Sequence, residues 1–156
     1  MTFDLDRFRR AQERDYDDAL AELQAGRKRS HWIWYVFPQL AGLGRSHMAQ
    51  MYGLQGLDEA TAYLADPLLR GRLLAAATAV RMHLDREPPS ALGTIMGSEI
   101  DALKLVSSMT LFREVARRAG DQEMTSVAEA ILDAGKAQGI RECEFTLSVV
   151  SGFRRT

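Results

Sequence analysis

Lys104 stands in a stretch, Ser98 to Arg118, whose other residues are apolar on two sides of a helical wheel, and it is followed by Ser107 and Ser108. An ammonium held among hydrocarbon must find a partner or lose its charge, because burying it unpaired costs several kcal/mol. Lys104 and Ser108, at i and i+4, have the spacing of a lysine base beside a serine nucleophile. The plainer alternative is a stem that packs while the ammonium reaches the rim and meets Asp101 or an acid on another helix. Helical serines, likewise, more often bond back to the preceding turn. His31 could exchange a proton near neutral pH or merely anchor a helix end, and Gln39 could read a polar ligand or satisfy loop backbone groups. The turn Gly42-Leu-Gly44-Arg45-Ser46 offers N–H groups, a hydroxyl and a guanidinium to an anion, although it lacks the strand-turn-helix context of a dinucleotide fingerprint.

These groups flank the longest apolar run of the chain, Trp32-Ile-Trp34-Tyr-Val-Phe37. Six residues are too few to span a membrane and too continuous for a surface loop, so both indoles are expected in or beside the core. Pro38 disfavours helical backbone at Phe37 and marks the end of the element. Its aromatic and β-branched content suits a strand, for which Phe145 to Val150 is the one visible partner, and strand and helix both stay open.

The rest reads as helices. Asp4 to Ala25 carries apolar residues at helical spacing and ends at Gly26. Ser46 caps a short helix over 48–54, and another runs over 57–65. Asp66-Pro67 then starts a helix with a stripe at Leu69, Leu73, Ala76, Val80 and Leu84, and Pro88-Pro89 lies beyond its end. Ile100, Leu103, Leu111 and Val115 form one face of the Ser98 helix, while Leu105, Met109, Phe112 and Ala116 form the other, as expected of a central helix. Met124 to Gly135 supplies one more.

The fold class is therefore all-α, a compact multi-helix array with room for one short strand-like pair, forming one globular domain over residues 1–156. The 20 basic and 21 acidic residues leave a net charge of −1, which gives no global field for nucleic acid or an anionic membrane. Cys143 is the only cysteine, excluding an internal disulfide, and His31, His47 and His83 lack zinc-ligand spacing, so no metal and no cofactor are expected. The acidic N-terminus has no apolar signal region, and a cytoplasmic location is expected.

Arg7-Phe8, His31-Trp-Ile-Trp-Tyr-Val-Phe-Pro-Gln39, Gly42-Leu-Gly44 with Ser46, Leu57-Asp-Glu-Ala60 and Ser107-Ser-Met-Thr-Leu-Phe112 together resemble the family numbered 1810 among domains of unknown function, sometimes mis-titled calpastatin. The resemblance implies a mostly helical domain and brings no activity. Cys143 stands where that family carries an acidic residue, three positions before Thr146-Leu147. The expectation is a small polar or anionic ligand held between the aromatic-Pro-Gln segment and the Ser98–Arg118 helix. Trp32, Trp34, Gln39, Gly42, Gly44, Arg45, Ser46, Lys104 and Ser107 would bind it, with His31, Lys104 and Ser108 as catalytic candidates. An enzyme acting on a nucleotide-like or ADP-ribose-like substrate and a protein-interaction module are the alternatives.

Overall fold

Short polar side chains start the helices. Ser46 accepts a hydrogen bond from the Ala49 N–H at 3.1 Å, Asp66 from Leu69 at 3.0 Å, Ser98 from Asp101 at 3.1 Å and Asp121 from Met124 at 3.1 Å. Each satisfies an N–H that has no partner within its own helix. In the computed structural model, which describes residues 2–155, these caps define α3 (His47–Tyr52), α5 (Pro67–Leu84), α7 (Glu99–Ala119) and α8 (Gln122–Ala137). The others are α1 (Asp6–Gln24), α2 (Ile33–Val36), α4 (Gly56–Ala65), α6 (Leu92–Ile95) and α9 (Glu144–Arg155). The protein is all-α, and among the described residues no helix is long and apolar enough to cross a membrane.

α7 is the axis of the molecule. Every residue from Leu105 to Phe112 is buried, and α4, α6, α8 and α9 pack around it. Gly120, with φ of 72°, takes the left-handed conformation that closes the helix. The two-faced pattern fails only in the first turns, where Ile100 is 67% and Leu103 56% exposed. There α7 is covered on one side only, since Ala102 is buried between them.

The aromatic run is a single helical turn, and Phe145–Val150 belongs to α9; the two segments do not pair as strands. A helical turn meets backbone hydrogen-bonding demand locally, whereas a strand needs a neighbour. The one strand-like feature among the described residues is a parallel bridge between Leu40 and Leu54, where Ala41 N–H donates to the Leu54 carbonyl at 2.8 Å and Leu54 N–H to the Gln39 carbonyl at 2.9 Å. This bridge bounds the loop that carries Gly42 to Ser46.

Glu22 of α1 sets the entry to the aromatic turn. Its carboxylate accepts from the Trp32 indole N–H at 3.0 Å, the Ser30 hydroxyl at 2.7 Å and the backbone N–H groups of Arg29 and Ser30 at 2.7 and 2.9 Å. The connection is also stitched to α6, since Lys28 N–H donates to the Ile95 carbonyl at 2.7 Å. Gly97 permits that approach: its φ is +81°, and a Cβ there would lie 2.6 Å from the Lys28 carbonyl oxygen.

Burial by itself would raise the Glu22 pKa, but the Ser30 hydroxyl, the two backbone donors and the Trp32 indole outweigh it and hold the group at about 2, against 4.5 for an ordinary glutamate. Its contribution to stability is fully present above about pH 4.5 and is lost as pH falls from there toward 2. Urea titrations of Glu22→Gln and the parent chain are expected to differ by about 1–2 kcal/mol at neutral pH, with the gap narrowing below pH 4.5. A gap independent of pH would show that the carboxylate charge is not what holds the turn.

Candidate functional site

Two lysines converge on one carboxylate, and each covers one of the two indoles. Asp101, in the first turn of α7, lies 2.9 Å from the Lys28 ammonium and 3.7 Å from that of Lys104. Lys28 stands 5.0 Å from the centre of the Trp32 ring, and Lys104 stands 5.2 Å from that of Trp34. Aromatic faces attract cations, so each ammonium has a negative group on one side and a ring on another. The two lysines differ in setting. Lys28 is buried and also donates to the Ser30 carbonyl, whereas the Lys104 side chain is 27% exposed. Lys104 is thus not the buried amine that its neighbours in sequence suggest: its stem leaves α7 beside the exposed Leu103, and its head reaches the rim.

Lys104 opens onto a cleft of about 480 Å³. Trp34, Gln39, Gly44, Arg45 and Ser46 line one side, with Leu43 and Ala49 beside them. Ile100, Leu103, Lys104 and Ser107 of α7 line the other, and Arg141, Glu142 and Cys143 close the end next to α9. α3 positions the first wall through its Ser46 cap; α7 fixes the second. The third is tied down by an ion pair between Glu142 and Arg113, which holds the Glu142 carboxyl below its ordinary range.

The charge balance of the lining is positive. Arg45, Lys104 and Arg141 face it, while its one carboxylate, Glu142, is engaged by Arg113. Among the described residues neither Arg45 nor Arg141 forms an ion pair. Two other depressions are larger, about 620 Å³ beside Arg81 and Arg117 and about 640 Å³ beside Arg7 and Glu59, but neither has a positive balance. Arg81 and Arg117 stand there against Asp121, Glu129 and Asp133, and Arg7, which grips both oxygens of Glu59, stands against Asp4 and Asp58 as well, so acids outnumber bases in both.

Cys143 precedes α9 and lines the cleft beside Ser107. Burial alone would raise its thiol pKa, but hydrogen bonds from the Ser107 and Thr146 hydroxyls and from the Thr146 and Phe145 N–H groups bring it below the ordinary value. A thiol so placed carries more thiolate near neutral pH than a free cysteine.

Seven of the residues singled out from sequence therefore share this cleft: Trp34, Gln39, Gly44, Arg45, Ser46, Lys104 and Ser107. Trp32 does not reach it and belongs to the core, 1% exposed against Glu22 and Lys28. Gly42 is exposed beside the Phe145 ring, and His31 is exposed away from the lining. Ser108 is fully buried and lies outside the lining; its hydroxyl has no hydrogen-bond partner among the described residues, so it forms no dyad with Lys104. Sequence reading did not single out Lys28, which stands in the run Arg27-Lys28-Arg29 where a helix C-terminal dipole or a solvated hinge accounts for the charges equally well, or the 141–143 wall. Nothing local distinguishes Lys28 from its neighbours; only the approach of α7 does. Among the described residues no cluster of three or more His, Cys, Asp or Glu is placed to hold a metal.

A family model described as "Protein of unknown function (DUF1810)" matches residues 2–140. The crystal structure of the conserved hypothetical protein Rv1873 from Mycobacterium tuberculosis is 41% identical to this chain, with a TM-score of 0.79, and the match covers 96% of this chain and 97% of that one. No curated protein matches.

Asp101→Asn is expected to destabilise the fold by about 3 kcal/mol in urea titration, because it strands the buried Lys28 charge. Lys104→Met is expected to change stability by less than about 1 kcal/mol, since that ammonium keeps access to water. Equal effects would mean that Asp101 does not discriminate between its partners. For Cys143, the pH midpoint of iodoacetamide alkylation is expected to lie lower in the folded protein than in urea, and Ser107→Ala is expected to raise it.

Proposed function

The chain belongs to the DUF1810 family, described as proteins of unknown function, and from that premise we propose that it binds a small anionic ligand in the cleft between the Trp34–Ser46 segment and α7. The observation that carries this reading is the local charge. A chain of net charge −1 brings Arg45, Lys104 and Arg141 to one concave surface whose single carboxylate is already paired. Three cations around one cavity repel one another, and an anion placed among them relieves that repulsion while gaining charge-assisted hydrogen bonds. The Ser46 hydroxyl accepts from Ala49 and keeps its own proton to donate, and Ser107 adds a second hydroxyl from the α7 wall. Lys104, moored loosely to Asp101 at 3.7 Å, can turn to the ligand without leaving its place over Trp34. The volume of about 480 Å³ is in the range of small-molecule sites.

Phosphate, sulfate and citrate at low ionic strength are expected to raise the melting temperature in a concentration-dependent way. The double substitution Arg45→Gln, Arg141→Gln is expected to remove most of that rise while leaving the unliganded melting temperature nearly unchanged, because both guanidinium groups are on exposed residues. No shift with any of the three anions up to roughly 10 mM would overturn the reading.

A further inference from the structure

We propose that the ligand of this cleft is a phosphorylated flat heteroaromatic, of the class of a nucleoside monophosphate, rather than a bare inorganic anion. This inference rests on the anion-binding reading above and goes further, because three features of the cleft exceed what a bare anion would use.

The first is apolar surface left open at its mouth. Ile100 and Leu103 are 67% and 56% exposed, yet they sit one turn apart on the helix whose middle is the most buried part of the molecule. Both line the cleft, flanking Lys104. Apolar area withdrawn from water contributes roughly 25 cal/mol per Å², so a wall of this kind favours a ligand with a broad hydrocarbon or ring surface and is indifferent to a hydrated ion. The second is Trp34. Unlike Trp32, it is only partly buried, and its indole forms part of the lining beside the Lys104 ammonium. Where Lys104 does not cover it, the indole offers a flat ring apolar surface to pack against, and the neighbouring cation suits a ring that carries a phosphate. The third is Gln39. Its side chain lines the cleft and has no hydrogen-bond partner among the described residues, while its backbone carbonyl is engaged with Leu54 N–H. An amide supplies both donors and an acceptor, the complement of a heteroaromatic edge and not of a plain hydrocarbon.

The chemistry of the lining divides the work. Cations and hydroxyls take the phosphate, the Ile100–Leu103 wall and the Trp34 indole take the ring, and Gln39 meets its polar edge. The volume of about 480 Å³ admits all three parts together.

Isothermal titration calorimetry with AMP, adenosine and inorganic phosphate tests the assignment on the full chain. AMP is expected to bind at least about tenfold more tightly than phosphate and more tightly than adenosine, because it alone engages both halves of the cleft. Leu103→Ser, an uncharged change at an exposed position that leaves the core intact, is expected to abolish the advantage of AMP over phosphate. Gln39→Ala is expected to weaken AMP several-fold and leave phosphate unchanged. Equal affinity for AMP and phosphate, or an AMP advantage that survives Leu103→Ser and Gln39→Ala alike, would overturn the heteroaromatic class while leaving the anion site in place. Failure of both AMP and phosphate to bind would overturn the anion site and this inference together.

Discussion

Asp101 is the point on which the architecture of the site turns. A carboxylate in the first turn of a long helix is favoured by the helix dipole, and here it also neutralises the ammonium of Lys28, which the connection between α1 and α2 carries inside the protein. That ion pair fixes the connection against α7, and with it the aromatic turn that follows. Trp32 is held twice, by Glu22 at its indole N–H and by Lys28 over its ring. Trp34, two residues on, is thereby directed to the opposite side of the turn, where Lys104 faces it.

The same arrangement separates stability from binding. Lys28 and Trp32 are buried and their partners are saturated; Lys104 and Trp34 repeat the pairing at the rim, where the contacts are longer and one side is open. Buried charge pairs are expensive to break, and rim pairs are weak enough to exchange partners. A site needs the second kind supported by the first. The cleft draws its positive balance from three different parts of the chain, the loop before α3, the exposed end of α7 and the segment before α9, so no stretch of sequence looks basic in itself.

The periodic helices were legible in the sequence because their apolar spacing and their caps are local. Ser46, Asp66 and Ser98 each mark a helix start by chemistry that acts over three residues, and Gly120 marks an end by a backbone conformation. Three elements, the Trp32–Phe37 run, the Phe145–Val150 segment and the Leu92–Ile95 turn, were not legible in this way. The Trp32–Phe37 run has no period to read, so its aromatic content left strand and helix both open, with Phe145–Val150 as the one strand partner in view, and both segments are helical. The Leu92–Ile95 turn is too short to show a pattern at all. The exposed face at Ile100 and Leu103 misled for a related reason: a helical wheel records which residues share a side, not which sides are covered.

The all-helical class, the central place of the Ser98 helix and a set of polar groups worth watching followed from sequence alone, since propensity, capping and periodicity act within a few residues of the chain. Family membership followed from motifs spread along it. Tertiary structure alone decided which of those groups meet. It took Trp32 and Ser108 into the core, left His31 outside the cleft, brought Arg141 and Cys143 to its end, and turned Lys28 from a surface charge into a buried one. The physical reason is that burial and charge pairing depend on what arrives from distant segments, and Lys28 and Asp101, far apart in the chain, carry no local mark of their meeting.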